Sequence, residues 1–150
     1  MAEIYKIPII ISLHPRTKKK IESFGKLNPL LRFHKPFGFF EYTKLEKEAL
    51  CVLSDSGTLS EETAILGLAA VQIRVSCERP EAFDAGSIIL SGFNQDTITT
   101  AVSFVINEKK KKSPRVIPRD YVDTNISIKV AKIMLGFTSI KKHHKNMIKQ

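Results

Sequence analysis

Short apolar runs alternate along the chain with stretches in which apolar side chains recur every third or fourth position. Residues 7–13 are rich in isoleucine and end before Pro15, which reads as a strand buried on both faces. Pro15 suits the first turn of a helix and Gly25 the position just past its end. Residues 30–33 predict a second strand, stopped by Pro36-Phe37-Gly38. Residues 39–47 have helical spacing, with Tyr42, Leu45 and Ala49 near one face. Residues 50–53 predict a third strand that runs into Asp55-Ser56-Gly57-Thr58, and residues 59–66 a helix closed by Gly67. Residues 70–73 and 87–90 predict two more strands, and residues 96–107 another helix. Strands separated by helices, with few hairpin signals, argue for βαβ units and a parallel sheet. Residues 109–122 read as a linker. Helical periodicity returns over 126–137, with Ile126, Val130, Ile133 and Phe137 on one face expected to pack against a hydrophobic surface. The end of the chain, 141–150, is polar and basic, and no internal repeat is present.

Charge changes this picture only at one end. The chain has 24 Lys and Arg against 15 Asp and Glu, a net charge of +9. Residues 1–105 carry twelve of each sign, so the whole excess falls in 106–150. A neutral module with a basic tail is not a domain with a basic binding face. No aromatic side chains interrupt Lys109 to Lys112, and no zinc-finger or RNA-binding signature is present, so nucleic acid is not an expected partner. No apolar run reaches the roughly 18–20 residues that span a membrane, and residues 1–13 do not have the pattern of a signal peptide. Cys51 and Cys77, 26 positions apart, read as free thiols of a reducing cytoplasm. His143 and His144 have no further ligand nearby, so no metal site is expected.

Polar and special residues gather where the expected strands end, the edge at which open parallel sheets bind ligands. The most informative segment is Asp55 to Glu62, which reads strand, tight turn, helix. Such a turn presents unpaired N–H groups at the positive end of a helix dipole, a natural phosphate site. Helix capping alone also explains it, since a Ser or Thr followed three positions later by Glu fits a capping box. The turn matches neither of the glycine patterns of dinucleotide or ATPase sites, so no such cofactor is expected. Glu61 and Glu62 cannot both face the sheet, and one of them can turn toward a ligand hydroxyl. In Cys77-Glu78-Arg79-Pro80-Glu81, Arg79 is either part of a solvated loop or an arginine held by carboxylates and aimed at a phosphate. His14 and Arg16, at an earlier strand end, are weaker anion contacts.

Taken in order, His14-Pro15-Arg16-Thr17, Pro36-Phe37-Gly38, Leu53-Ser54-Asp55-Ser56-Gly57-Thr58, Ser60-Glu61-Glu62 and Glu78-Arg79-Pro80-Glu81 resemble the non-hydrolysing UDP-N-acetylglucosamine 2-epimerase family. The likeness spans about residues 4–106 and, more weakly, continues to Phe137. Thr58, where many members have a second glycine, looks like the capsule and O-antigen branch, which includes enzymes forming UDP-N-acetyl-L-fucosamine. The stretch holding Asp123, Asn125, Ser127 and Val130 is similar to that branch's C-terminal helix. The resemblance implies an α/β fold: a three-layer Rossmann-like parallel sheet, the C-terminal half of a glycosyltransferase-type-B fold, lacking its first strand and so left with an uncovered flank. It implies an isomerase of cell-surface polysaccharide precursors that epimerises C2 by eliminating UDP and adding it back. Ser56, Gly57 and Thr58 would hold the diphosphate, Glu62 the ribose hydroxyls, Arg79 the phosphates, and Tyr42 or Phe40 would lie near the uracil.

The catalytic carboxylates and histidine of the family lie outside this sequence, so the resemblance carries over no catalytic residue and implies no cofactor. The expected organisation is a partial UDP-sugar-binding domain over 1–107, a basic linker over 108–122, and a helix with a basic tail over 123–150. The expected chain is a fragment, inactive alone, whose partners are a UDP-sugar and either a separately encoded N-terminal epimerase domain or a second copy. The alternatives are a stand-alone UDP-binding module and the donor-binding half of a glycosyltransferase; the Glu78-Arg79-Pro80-Glu81 segment argues against the latter.

Overall fold

Each of the five apolar runs forms a strand, and the strands pair in parallel. The computed structural model describes residues 1–13, 17, 21, 23 and 25–147, with side chains of the last helix to 138. Helix α1 is Ala2–Tyr5. Strand β1, Ile9–Ser12, pairs with β2, Leu31–His34, in the register Ile9 to Leu31 and Ser12 to His34. Helix α2, Phe39–Glu48, leads to β3, Val52–Ser54. Helix α3, Leu59–Leu66, leads to β4, Ala70–Gln72. Helix α4, Pro80–Asp84, precedes β5, Ile89–Leu90, and α5 is Gln95–Lys111. A 3-10 turn, Arg119–Tyr121, precedes α6, Ile126–Met147.

The strands form two sheets, β1-β2 and β3-β4-β5. Parallel strands joined by helices are the expected α/β Rossmann-like class. The opening is not at a flank, however. It lies between β1 and β3, where a cavity of about 940 Å³ separates the two sheets. Strand β1 is correspondingly not buried on both faces: its residues alternate between half-buried and exposed, and Ile10 is 48% exposed.

Among the described residues, the buried core lies around β3, β4 and β5. Ala69 and Val71 pack with Ala101, Val102, Val105 and Ile106 of α5 in one cluster. In the other, Leu59, Leu68, Ala70, Ala82 and Ile88 pack together, with Tyr121 against them. Gly67 ends α3 in the left-handed region, φ 69°, a conformation glycine adopts without Cβ strain.

Two expectations for the basic region change. Lys109, Lys110 and Lys111 form the last turn of α5 and are not part of a linker. Cations are favourable at a helix C-terminus, and Lys109 Nζ also donates to the Ala49 carbonyl at 2.8 Å. The segment after Lys112 straps back over the domain: Ser87 Oγ donates to Val116 O at 3.1 Å, and Tyr121 Oη to Glu81 Oε1 at 2.9 Å. Ile126, Val130, Ile133 and Phe137 of α6 are all exposed, so the expected packing of that face is absent. No described helix is long and apolar enough to cross a membrane.

Candidate functional site

The turn between β3 and α3 is fastened from below. Gln72, buried in β4, donates through Nε2 to the Ser56 carbonyl at 2.8 Å, and the Ser56 amide donates to Ser54 Oγ at 3.0 Å. Capping does not explain this turn. Thr58 holds the N-cap position without a side-chain cap hydrogen bond; its Oγ1 instead lies 2.9 Å from Ser56 Oγ. Among the described residues, the amides of Gly57 and Thr58 have no hydrogen-bond acceptor. Two free N–H groups beside two hydroxyls at the start of a helix form an anion cradle.

Arg79 reaches this cradle. A Cβ added at Gly57 would collide with the Arg79 guanidinium, and Glu78 Oε2 lies 3.2 Å from the same position. A side chain at position 57 would therefore have to displace the end of Arg79 from the cradle. Glu61 accepts from Arg79 Nε, and this partner raises the arginine's pKa still further above its ordinary value. Glu78 accepts from Arg74 Nη1 at 2.7 Å, and that hydrogen bond holds the Glu78 carboxyl below its ordinary value. Pro80, read from sequence within a charged loop, is the first residue of α4. Its fixed φ starts that helix and places Arg79 at the cap position.

Glu62 takes the other side of α3. Consecutive helical residues diverge by about 100°, so Glu61 serves Arg79 while Glu62 joins Tyr42 and Glu46 of α2. Glu46 was not anticipated. It is 4% exposed, and neither carboxyl oxygen has a hydrogen-bond partner of normal geometry among the described residues. Burial, then the charge of Glu62, push its pKa up to about 7. Burial, then Glu46, push the Tyr42 phenol up to about 12. The legible signal was the i, i+4 spacing of Tyr42 and Glu46. The sequence instead suggested a solvated face, because Glu46 stands among Lys44, Lys47 and Glu48.

The structure thus brings Ser56, Gly57, Thr58 and Arg79 together, and Tyr42 with Glu62 on the opposite flank of α3. Phe40 is exposed, with its ring 5.5 Å from that of Phe39. His14 and Arg16 lie outside the described residues. Among the described residues no group of His, Cys, Asp and Glu is arranged to hold a metal.

The family model for UDP-N-acetylglucosamine 2-epimerase matches residues 1–135. The enzyme of that name from Methanocaldococcus jannaschii is 39% identical over 118 residues, covering 75% of this chain and 32% of the relative. One from Methanococcus maripaludis is 37% identical over 137 residues, covering 88% and 36%. Among solved structures, a UDP-N-acetylglucosamine 2-epimerase from Rickettsia bellii superimposes with a TM-score of 0.78 at 38% identity, over 93% of this chain and 39% of the other. The M. jannaschii epimerase in complex with UDP-GlcNAc and UDP gives 0.74 at 33% identity, over 89% and 37%. The chain spans about a third of the length of the curated relatives it matches.

Proposed function

Because this chain belongs to the UDP-N-acetylglucosamine 2-epimerase family, we propose that it is the UDP-gripping part of a UDP-N-acetylhexosamine 2-epimerase of cell-surface polysaccharide synthesis in the cytoplasm. The observation that carries this reading is the pair of unbonded amides at Gly57 and Thr58 with the Arg79 guanidinium directly over Gly57. In an elimination of UDP, negative charge develops on the departing diphosphate. Fixed N–H groups and a guanidinium already held in place by Glu61 stabilise that charge without reorganising. Glu62, unengaged by Arg79, is the acceptor for the ribose hydroxyls, and Tyr42 beside it borders the base. The capsule and O-antigen branch remains the reading for the sugar.

The resemblance carries over no catalytic residue, so we read the acid–base help at C2, worth roughly 10²–10⁴-fold per group, as supplied from outside this chain. The chain by itself is therefore a binding part, completed by an N-terminal epimerase portion. Titration calorimetry with UDP tests the site. Glu62→Gln weakens binding about 10- to 100-fold, the range for a hydrogen bond to a charged acceptor. Equal affinity in wild type and variant removes Glu62 from the site. Incorporation of solvent deuterium at C2 of UDP-N-acetylglucosamine by the chain alone would show that it is an enzyme by itself. The alternative reading, a UDP-binding module without catalysis, is favoured if adding an N-terminal epimerase portion restores no exchange.

A further inference from the structure

Glu46 has no part in the anion cradle, yet α2 holds it out of water against α3. It is 4% exposed, and both carboxyl oxygens are buried without a hydrogen bond of normal geometry among the described residues. A buried carboxyl without partners is unfavourable, and an ionised one far more so. Packing alone would place an apolar side chain here.

The neighbours of Glu46 show what it can do. It follows Tyr42 by one helical turn on the same face of α2, and Glu62 acts on it from the first turn of α3. The cavity that Glu46 also borders carries the further titratable side chains of Tyr5, Glu48, Cys51 and Asp55. None of these groups is a cation, so nothing among them favours two negative charges side by side. Two adjacent carboxyls, one of them buried, share a proton near neutral pH, and it stays on the buried one. Burial, then Glu62, accordingly raise Glu46 to about 7. The Tyr42 phenol, pushed up to about 12, stays a donor throughout.

We propose that Glu46 is a positioning residue for the nucleotide: in its neutral form it accepts from Tyr42, donates its own proton to Glu62, and so holds the Glu62 carboxylate as the acceptor for the ribose hydroxyls. A carboxylate that receives one fixed hydrogen bond presents its remaining acceptor capacity in a set direction. Ionised Glu46 offers no donor and repels Glu62. The chain therefore binds a uridine nucleotide well only while the pair keeps its proton, and above neutral pH binding takes one up. This inference rests on reading Glu62 as the ribose acceptor, and it adds a residue that touches no ligand yet sets the affinity of that site.

The test is calorimetric titration of the full chain with UDP-N-acetylglucosamine. Its diphosphate is esterified at both ends, so it lacks the terminal phosphate ionisation found at about pH 6. Affinity is expected to fall about tenfold from pH 6 to pH 8, because about one site in ten keeps its proton one unit above the pKa. At pH 8, titrations in two buffers of different ionisation enthalpy should report uptake of about one proton. The amide of Glu46→Gln donates and accepts as the neutral carboxyl does. This variant is expected to bind about tenfold more tightly than wild type at pH 8, with neither the pH dependence nor the proton uptake. If Glu46 only fills space, wild-type affinity is the same at pH 6 and pH 8. That result, or a Glu46→Gln protein that keeps the wild-type pH dependence, overturns the proposal. Glu62→Gln separates this failure from a failure of the nucleotide reading. Weakened binding in Glu62→Gln beside a flat wild-type profile removes only the role of Glu46, whereas Glu62→Gln binding as wild type does removes the ribose contact and the proposal together.

Discussion

Glu46 and Glu62 put two carboxyl groups side by side, one of them out of water. A carboxyl whose folded pKa is raised favours the folded state while it is protonated. With an ordinary value of 4.5 and a folded value of about 7, the unfolded chain gives up its proton first as pH rises. Stability contributed by neutral Glu46 is therefore present below about pH 4.5 and lost progressively up to about pH 7. Glu46→Gln keeps the shape without the charge. It is expected to be more stable than wild type at pH 8, by on the order of 1–3 kcal/mol, and to lack the decline between pH 5 and 7 in thermal unfolding. A variant that melts below wild type at pH 8 would show that the ionised carboxylate is the stabilising form. Gly57 gives a second test at this scale. Gly57→Ala displaces the Arg79 guanidinium, and UDP affinity measured by calorimetry is expected to fall at least tenfold, the loss for a charge-assisted contact. Because Arg79 is a partly exposed and flexible side chain, the melting temperature should hardly change. Unaltered affinity would place the phosphates elsewhere.

At the level of elements, local signals were sufficient where a single segment decides its own state. The five strands, α2, α3 with its closing Gly67, and α5 follow from apolar period and turn residues. Elements decided by tertiary partners were not legible. Helix α4 was hidden because its charged residues look like a loop, while its fully buried Ala82 packs with Leu59 and Ile88 and its Glu81 accepts from Tyr121, 40 positions away. Lys109 to Lys111 looked like a linker because a charge run says nothing about the helix dipole that accepts it. The site was legible through its turn and its arginine, but Glu46 required knowing that α2 lies against Glu62. Helix α6 shows the opposite case: its period was legible and its partner is absent from the described residues. Ile126, Val130, Ile133, Met134 and Phe137 lie along one side of the helix and are all exposed. Each forgoes roughly 1.5–3 kcal/mol of burial, and a continuous apolar surface of this kind favours association. Sedimentation velocity should show wild type associating at tens of micromolar and the double variant Ile133→Glu, Phe137→Glu remaining monomeric. Two monomeric proteins would mean that this face needs a different partner.

Across the whole molecule, stability is unevenly divided. The two buried clusters lie on either side of β4 and, among the described residues, neither includes a residue of β1 or β2. The β1-β2 sheet is joined to the rest by no ladder and faces a cavity with apolar side chains that remain partly in water. Two parallel strands without further neighbours are marginal by themselves. Regions with few buried apolar contacts open at lower free energy than the core. Native-state hydrogen exchange in rising urea should therefore resolve two units. Amides bonded within the β1-β2 pair, such as those of Ile9 and Leu13, are expected to open at least about 2 kcal/mol more easily than those of Val52 and Val71, with a smaller denaturant slope that reports less exposed surface. Equal opening energies in the free chain would show that the sheets already unfold as one unit and that the cavity does not divide them.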